Sequence, residues 1–124
     1  MMMNSTYYQH TLGKKAEEAA CQYLQKADLA LIEKNFTCRY GEIDLIMKDK
    51  EIYVFTEIRL RNSQDFTNSL ESITKAKQAR IIKAATIYLL EKNLWNKTRC
   101  RFDVVGMIQK NNEFQFDWIK NAFW

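Results

Sequence analysis

Residues 41–61 read GEIDLIMKDKEIYVFTEIRLR, and this stretch decides the fold. Two runs rich in β-branched and aromatic residues, Glu42 to Lys48 and Ile52 to Arg61, flank the polar residues Asp49, Lys50 and Glu51. Runs of that composition around a short polar break form a β-hairpin. Side chains alternate faces along a strand, so Glu42 and Asp44 share one face while Ile43, Leu45 and Met47 line the other. On the second strand Tyr53, Phe55, Glu57, Arg59 and Arg61 share a face, and Val54, Thr56 and Ile58 point away. Closing the turn brings positions 44 and 57 opposite each other, within about two residues of register. Two carboxylates then converge.

Outward from the hairpin, Leu12, Ala16, Ala19, Ala20, Tyr23 and Leu24 recur at helical spacing. They predict a helix from Leu12 to about Lys26, with Thr11 as its N-cap and residues 1–10 as a flexible tail. Ala30 to Phe36 reads as a strand, Leu70 to Glu91 as a helix, and Arg101 to Gln109 and Phe114 to Ile119 as strands turning at Asn111 and Asn112. The order αβββαββ predicts an α/β fold, a mixed β-sheet flanked by helices, in a single domain spanning residues 1–124. With no proline in the chain, its turns must come from Gly13, Gly41, Gly106 and the asparagines.

A chain of 124 residues supports one core, and 47% hydrophobic with 27% charged residues excludes disorder and coiled coil. No apolar run approaches the roughly 20 residues of a membrane span, and the N-terminus lacks the basic and apolar regions of a signal peptide. A soluble cytoplasmic protein that does not touch membrane is expected. Cys21, Cys38 and Cys100 lack C-x-x-C spacing and His10 is the sole histidine, so neither a disulfide framework nor a zinc site is written here. Reduced thiols are the expectation.

The net charge of +4 is unevenly placed: residues 59–101 hold ten basic and three acidic side chains. Such a basic half suits a polyanion such as nucleic acid; a merely solvated helix face has the same composition. Convergent Asp44 and Glu57 oxygens are what a hard divalent cation such as Mg²⁺ or Mn²⁺ binds. A cation two residues beyond the glutamate, Arg59, falls where it can steady a phosphate. Ordinary cross-strand ion pairs also produce this alternation. In the second helix Lys77 falls inside the stripe of Leu70, Ile73, Ile81, Ala84 and Tyr88, so it either snorkels outward or faces a polar pocket. Arg80 and Lys83 flank the stripe. Phe114, Phe116 and Trp118 share a strand face, which fits core or a subunit interface better than base stacking.

The stretches GEIDLI (41–46), VFTEIRLR (54–61), RFDVV (101–105) and IKNAF (119–123) resemble the YraN family of bacterial proteins. That resemblance implies a restriction-endonuclease-like fold, similar to the PD-(D/E)xK nucleases and Holliday-junction resolvases. It implies a Mg²⁺- or Mn²⁺-dependent endonuclease acting on DNA or branched DNA, with Asp44 and Glu57 as metal ligands. It also implies Glu17 as a supporting third acid; Arg59 and Lys77 are expected to stabilise the phosphate, and Arg61 with Arg80 and Lys83, which flank the helix stripe, to bind nucleic acid. The family also has a lysine matching Lys77, which favours the pocket. Two positions depart from the pattern: the motif lysine is Arg59, and the glycine usual before the helix acid is Ala16. A guanidinium binds phosphate but cannot relay a proton. Two alternatives therefore stand beside the nuclease: a non-catalytic nucleic-acid-binding module, and a structural protein whose aromatic C-terminus forms a homodimer.

Overall fold

The structure, a computed structural model, describes residues 5–62 and 69–124. Its elements are α1 (Ser5–Lys26), β1 (Ala30–Cys38), β2 (Gly41–Asp49), β3 (Ile52–Arg61), α2 (Lys75–Glu91), β4 (Arg99–Lys110) and β5 (Glu113–Ile119). The sheet order is β1-β2-β3-β4-β5, antiparallel except for the parallel β3–β4 pair that α2 connects. This is the α/β fold, mixed sheet and element order that the sequence predicts.

Both sheet faces are covered. Over one, Ile81, Ala84, Ala85, Tyr88 and Leu89 of α2 pack on Ile46, Phe55, Phe102 and Val104. Over the other, Ala16, Ala20, Cys21 and Leu24 of α1 pack on Leu45, Met47, Val54, Val105 and Met107. The β5 aromatics serve this second face: Tyr23 of α1 stacks on Phe116 with ring centroids 4.2 Å apart. All three cysteines are free thiols. Among the described residues no helix is long and apolar enough to cross a membrane.

Three local expectations change. Helix α1 begins at Ser5, not after Thr11, because no glycine or proline interrupts the backbone ladder between them. Residues 5–10 therefore belong to the helix, and the rest of the expected tail lies outside the described residues. Helix α2 begins at Lys75, not Leu70, because the Thr74 side chain accepts from Lys77 N–H and caps the first turn. Finally, Ile43 does not share a face with Leu45 and Met47; it joins the α2-side core with Phe36 and Ile46. Its partner strand explains this. Asn35 takes φ +54°, a left-handed conformation that breaks strict alternation in β1, and β2 follows the break at the Phe36↔Ile43 and Lys34↔Leu45 pairs. As the asparagine content suggests, Asn111 and Asn112 both adopt positive φ at the β4–β5 turn.

A fully buried acid, Asp103 of β4, pairs in the sheet with Thr56 of β3. Asp103 Oδ1 accepts from Arg101 Nε at 3.0 Å and from Asn121 N–H at 2.9 Å, and its Oδ2 accepts from Trp118 Nε1 at 2.9 Å. Arg101 also reaches Asp49 at 2.9 Å, linking the β2–β3 turn to the C-terminal segment. Phe123 closes that segment by stacking on Phe102. Removing Asp103 leaves Arg101 with Asp49 as its remaining acid and strips the Trp118 and Asn121 donors of their acceptor. Asp103→Ala should lower unfolding free energy by about 3–5 kcal/mol in chemical denaturation; a loss under about 1 kcal/mol would contradict this assignment.

Candidate active site

The β2–β3 turn is two residues long: Asp49 pairs with Ile52 around Lys50 and Glu51, with Lys50 at φ +55°. The ladder runs in constant register to Leu45↔Thr56. One step further along that register stand Asp44 and Glu57. The β2–β3 backbone pairing ends before that step, and a side chain takes over: Asp44 Oδ2 accepts the Ile58 N–H at 2.8 Å. This bond ties the aspartate to the strand that carries the glutamate.

Other elements then crowd the pair. Glu57 is buried, and Lys77 from α2 places its Nζ 3.0 Å from Glu57 Oε1. Lys77 therefore faces a polar pocket in place of snorkelling into solvent. From the opposite side, α1 contributes Glu17, whose Oε1 accepts from Asn35 Nδ2 at 2.8 Å; the same amide nitrogen reaches Glu42 Oε1 at 2.6 Å. Ligand oxygens of Glu17, Glu42 and Asp44 lie within 4.8 Å of one another. Two cavities open onto Asp44. One of about 520 Å³ is lined by Lys14, Glu17, Asn35, Glu42 and Ile58; another of about 170 Å³ is lined by Tyr40, Glu42, Glu57, Lys77 and Arg80.

Burial, reinforced by the neighbouring charge of Glu57, pushes the Asp44 carboxyl up to about 7; Glu17 and Glu42 add to the rise and the Ile58 N–H opposes it. Burial also raises Glu57, while Lys77, and Arg59 acting through space, pull it back. Acids held together against their own repulsion are the donor set that a divalent cation compensates. Among the described residues the acids whose oxygens gather closely enough to share such an ion are Glu17, Glu42 and Asp44, while Glu57, the neighbour of Asp44, is paired with Lys77.

The remaining expected residues divide. Arg80 lines the smaller cavity, and Lys83, exposed on the same helix, lies over the Tyr40 ring at 5.4 Å. Arg61 is half-buried opposite Ile108 and lies outside either cavity lining. Arg59 shares the face of Glu57, and its guanidinium is bonded to Ser72: Nε donates to Ser72 Oγ at 3.1 Å and a terminal nitrogen donates to the Ser72 carbonyl at 3.2 Å. Among the described residues it forms no ion pair with Asp44 or Glu57. Sequence reasoning did not single out Asn35, and it placed Glu42 beside Asp44 without giving it a part. The available signal was an asparagine amid a polar strand segment, which alternation alone does not distinguish from solvent-facing polarity.

The protein is thus an α/β domain with a mixed five-stranded sheet, in which one carboxylate from α1 and three from β2 and β3 gather beside a lysine of α2. The chain itself is a member of the uncharacterised protein family UPF0102, whose profile matches residues 16–107. It is 46% identical to a UPF0102 protein of Nitrosococcus oceani over 111 residues, 90% of each chain. A UPF0102 protein of Coxiella burnetii is 47% identical over the same share of both chains, and one of Pseudomonas aeruginosa is 42% identical over 113 residues, again 90% of each.

The raised Asp44 carboxyl has a thermodynamic consequence. A carboxyl whose pKa is higher folded than unfolded stabilises the fold at acid pH and loses that contribution as pH rises from about 4 to about 7. Without a divalent ion the protein should melt at lower temperature at pH 8 than at pH 5. Asp44→Asn should reduce that difference by several degrees, and saturating Mn²⁺ should raise the wild-type melting temperature at pH 8 but not that of the variant. Equal pH profiles for both proteins in differential scanning fluorimetry would contradict the assignment.

Proposed function

We propose that this chain is a metal-dependent endonuclease of restriction-endonuclease-like fold that hydrolyses phosphodiesters in DNA, branched DNA included. One observation carries the reading: Asp44 and Glu57 stand side by side on paired strands while a lysine from α2 contacts the glutamate. In this reading Asp44 and Glu57 would hold the cation, with Glu17 and Glu42, whose oxygens gather with those of Asp44, close by. A bound divalent ion supplies Lewis-acid polarisation of a phosphoryl oxygen and a nucleophile at neutral pH. Lys77 offers at Nζ a charged donor to the phosphoryl oxygens as negative charge develops on them. Its position makes up for the arginine in the motif, because an ammonium is present beside the glutamate although it comes from another element.

Arg80 and Lys83 lie along the rim that α2 presents on the same side of the sheet. Contacts of this kind bind phosphate without reading sequence, which suits recognition of a DNA shape. The three free thiols fit a reducing compartment such as the cytoplasm.

Purified protein should nick or cut plasmid or four-way-junction DNA with Mg²⁺ or Mn²⁺ and not with EDTA. Asp44→Asn and Glu57→Gln should each reduce the rate at least about 100-fold, the loss expected when a charged ligand or donor is removed from a transition state. Arg80→Ala with Lys83→Ala should weaken DNA binding and flatten its salt dependence by roughly two phosphate contacts. Steeply salt-dependent binding with no cleavage on any of these substrates would overturn the catalytic reading in favour of a binding module. Absence of both would overturn the nucleic-acid reading.

A further inference from the structure

The residue standing at the motif-lysine position is engaged with protein. Arg59 directs two nitrogens at Ser72, one to its hydroxyl and one to its carbonyl. The Ser72 hydroxyl in turn donates to the Ser69 carbonyl at 2.6 Å, and Ile73 N–H donates to the Leu70 carbonyl at 3.0 Å. Residues 69–73 thus form a closed turn, fastened to β3 by one guanidinium. Gly106 of β4, which pairs with Arg59 in the sheet, gives this turn its seat: a β-carbon at position 106 would collide with the buried Ser69 side chain.

What the turn positions lies directly after it. Ser72 is two residues before Thr74, the N-cap whose hydroxyl oxygen accepts the Lys77 N–H at 3.1 Å, and Gln78 reaches back to the Ile73 carbonyl at 3.3 Å. A helix is stiff along its axis, so the place where α2 starts sets where the side chain three residues past the cap is delivered. That side chain is Lys77, 3.0 Å from Glu57. Arg59 and Glu57 sit two apart on the same strand, so the arginine fixes the turn relative to the glutamate that the lysine must meet.

We propose that Arg59 is a positioning residue, not a phosphate ligand: it fastens the Ser69–Ser72 turn to β3 and so sets the start of α2 where Lys77 meets Glu57. The proposal rests on the reading of that pair as the site, but its central claim concerns geometry and can be tested without cleavage. The planar fork explains why arginine suits this place. It directs two donors at two oxygens of one residue, which an ammonium does with less orientation.

The test compares acetylation of Lys77 with that of Lys75, on the same helix, by N-hydroxysuccinimide acetate and mass spectrometry in the full chain. In Arg59→Gln the ratio of Lys77 to Lys75 labelling should rise roughly two- to fivefold, the protection that an ion pair of this exposure provides. Arg59→Lys should give a smaller rise, a partial rescue. Ser72→Ala, which removes only the hydroxyl link, should shift the ratio in the same direction and decides the matter if Arg59→Gln fails to fold by circular dichroism. An unchanged ratio in the folded variants would overturn the proposal, whether or not the protein cuts DNA. Where cleavage is measurable, Arg59→Lys should lower kcat with KM for DNA nearly unchanged. A raised KM at constant kcat would show that Arg59 holds substrate and would overturn it as well.

Discussion

The two-residue turn at Lys50 and Glu51 sets the register of the β2–β3 hairpin, and the site depends on that register. A slip of one residue would send every side chain of one strand to the opposite face, separating Asp44 from Glu57. Hydrophobic burial guards against the slip. Leu45, Met47 and Val54 are sealed under α1, and Ile46 and Phe55 under α2, so a shifted register would expose one set and bury polar groups in its place. The apolar residues of the hairpin hold the acids together against a repulsion that acts to part them.

Burial first, and like charge second, weighs on these carboxyl groups. Asp44 is raised by burial and by Glu57, and Glu57 is raised by burial although Lys77 relieves it. A purely structural cluster of this composition would gain by replacing an acid with an amide or an apolar group. Elsewhere the same chain shows how it treats an acid kept for structure: Asp103 has donors on both oxygens from Arg101, Trp118 and the Asn121 backbone. A satisfied carboxylate on β4 thus stands one residue along the register from the crowded ones on β2 and β3.

Much of this is legible in the sequence. β3 runs from Ile52 to Arg61 as its β-branched and aromatic composition indicates, and hairpin closure alone brings positions 44 and 57 opposite. The apolar stripe of α2 exposed Lys77 as a lysine out of place, and it is found on Glu57. Alternation does not carry the break at Asn35, because a left-handed residue within a strand leaves no periodic signal, and strict alternation therefore puts Ile43 on the face opposite the one it occupies. Nor could spacing show where a long side chain bends. Arg59 lies on the expected face, but its two donors find Ser72, thirteen residues away in sequence, and that contact exists only once the turn before α2 has folded back over β4.

The most direct measurement of the central claim is a carbon-detected NMR titration of the Asp44 and Glu57 side-chain carboxyls, with and without Mg²⁺. If the two acids are neighbours at one cation-accepting edge, Asp44 titrates near 7 in the free protein and Mg²⁺ shifts both midpoints downward together. An Asp44 midpoint at its ordinary value, or Mg²⁺ leaving both resonances unmoved, would contradict the account.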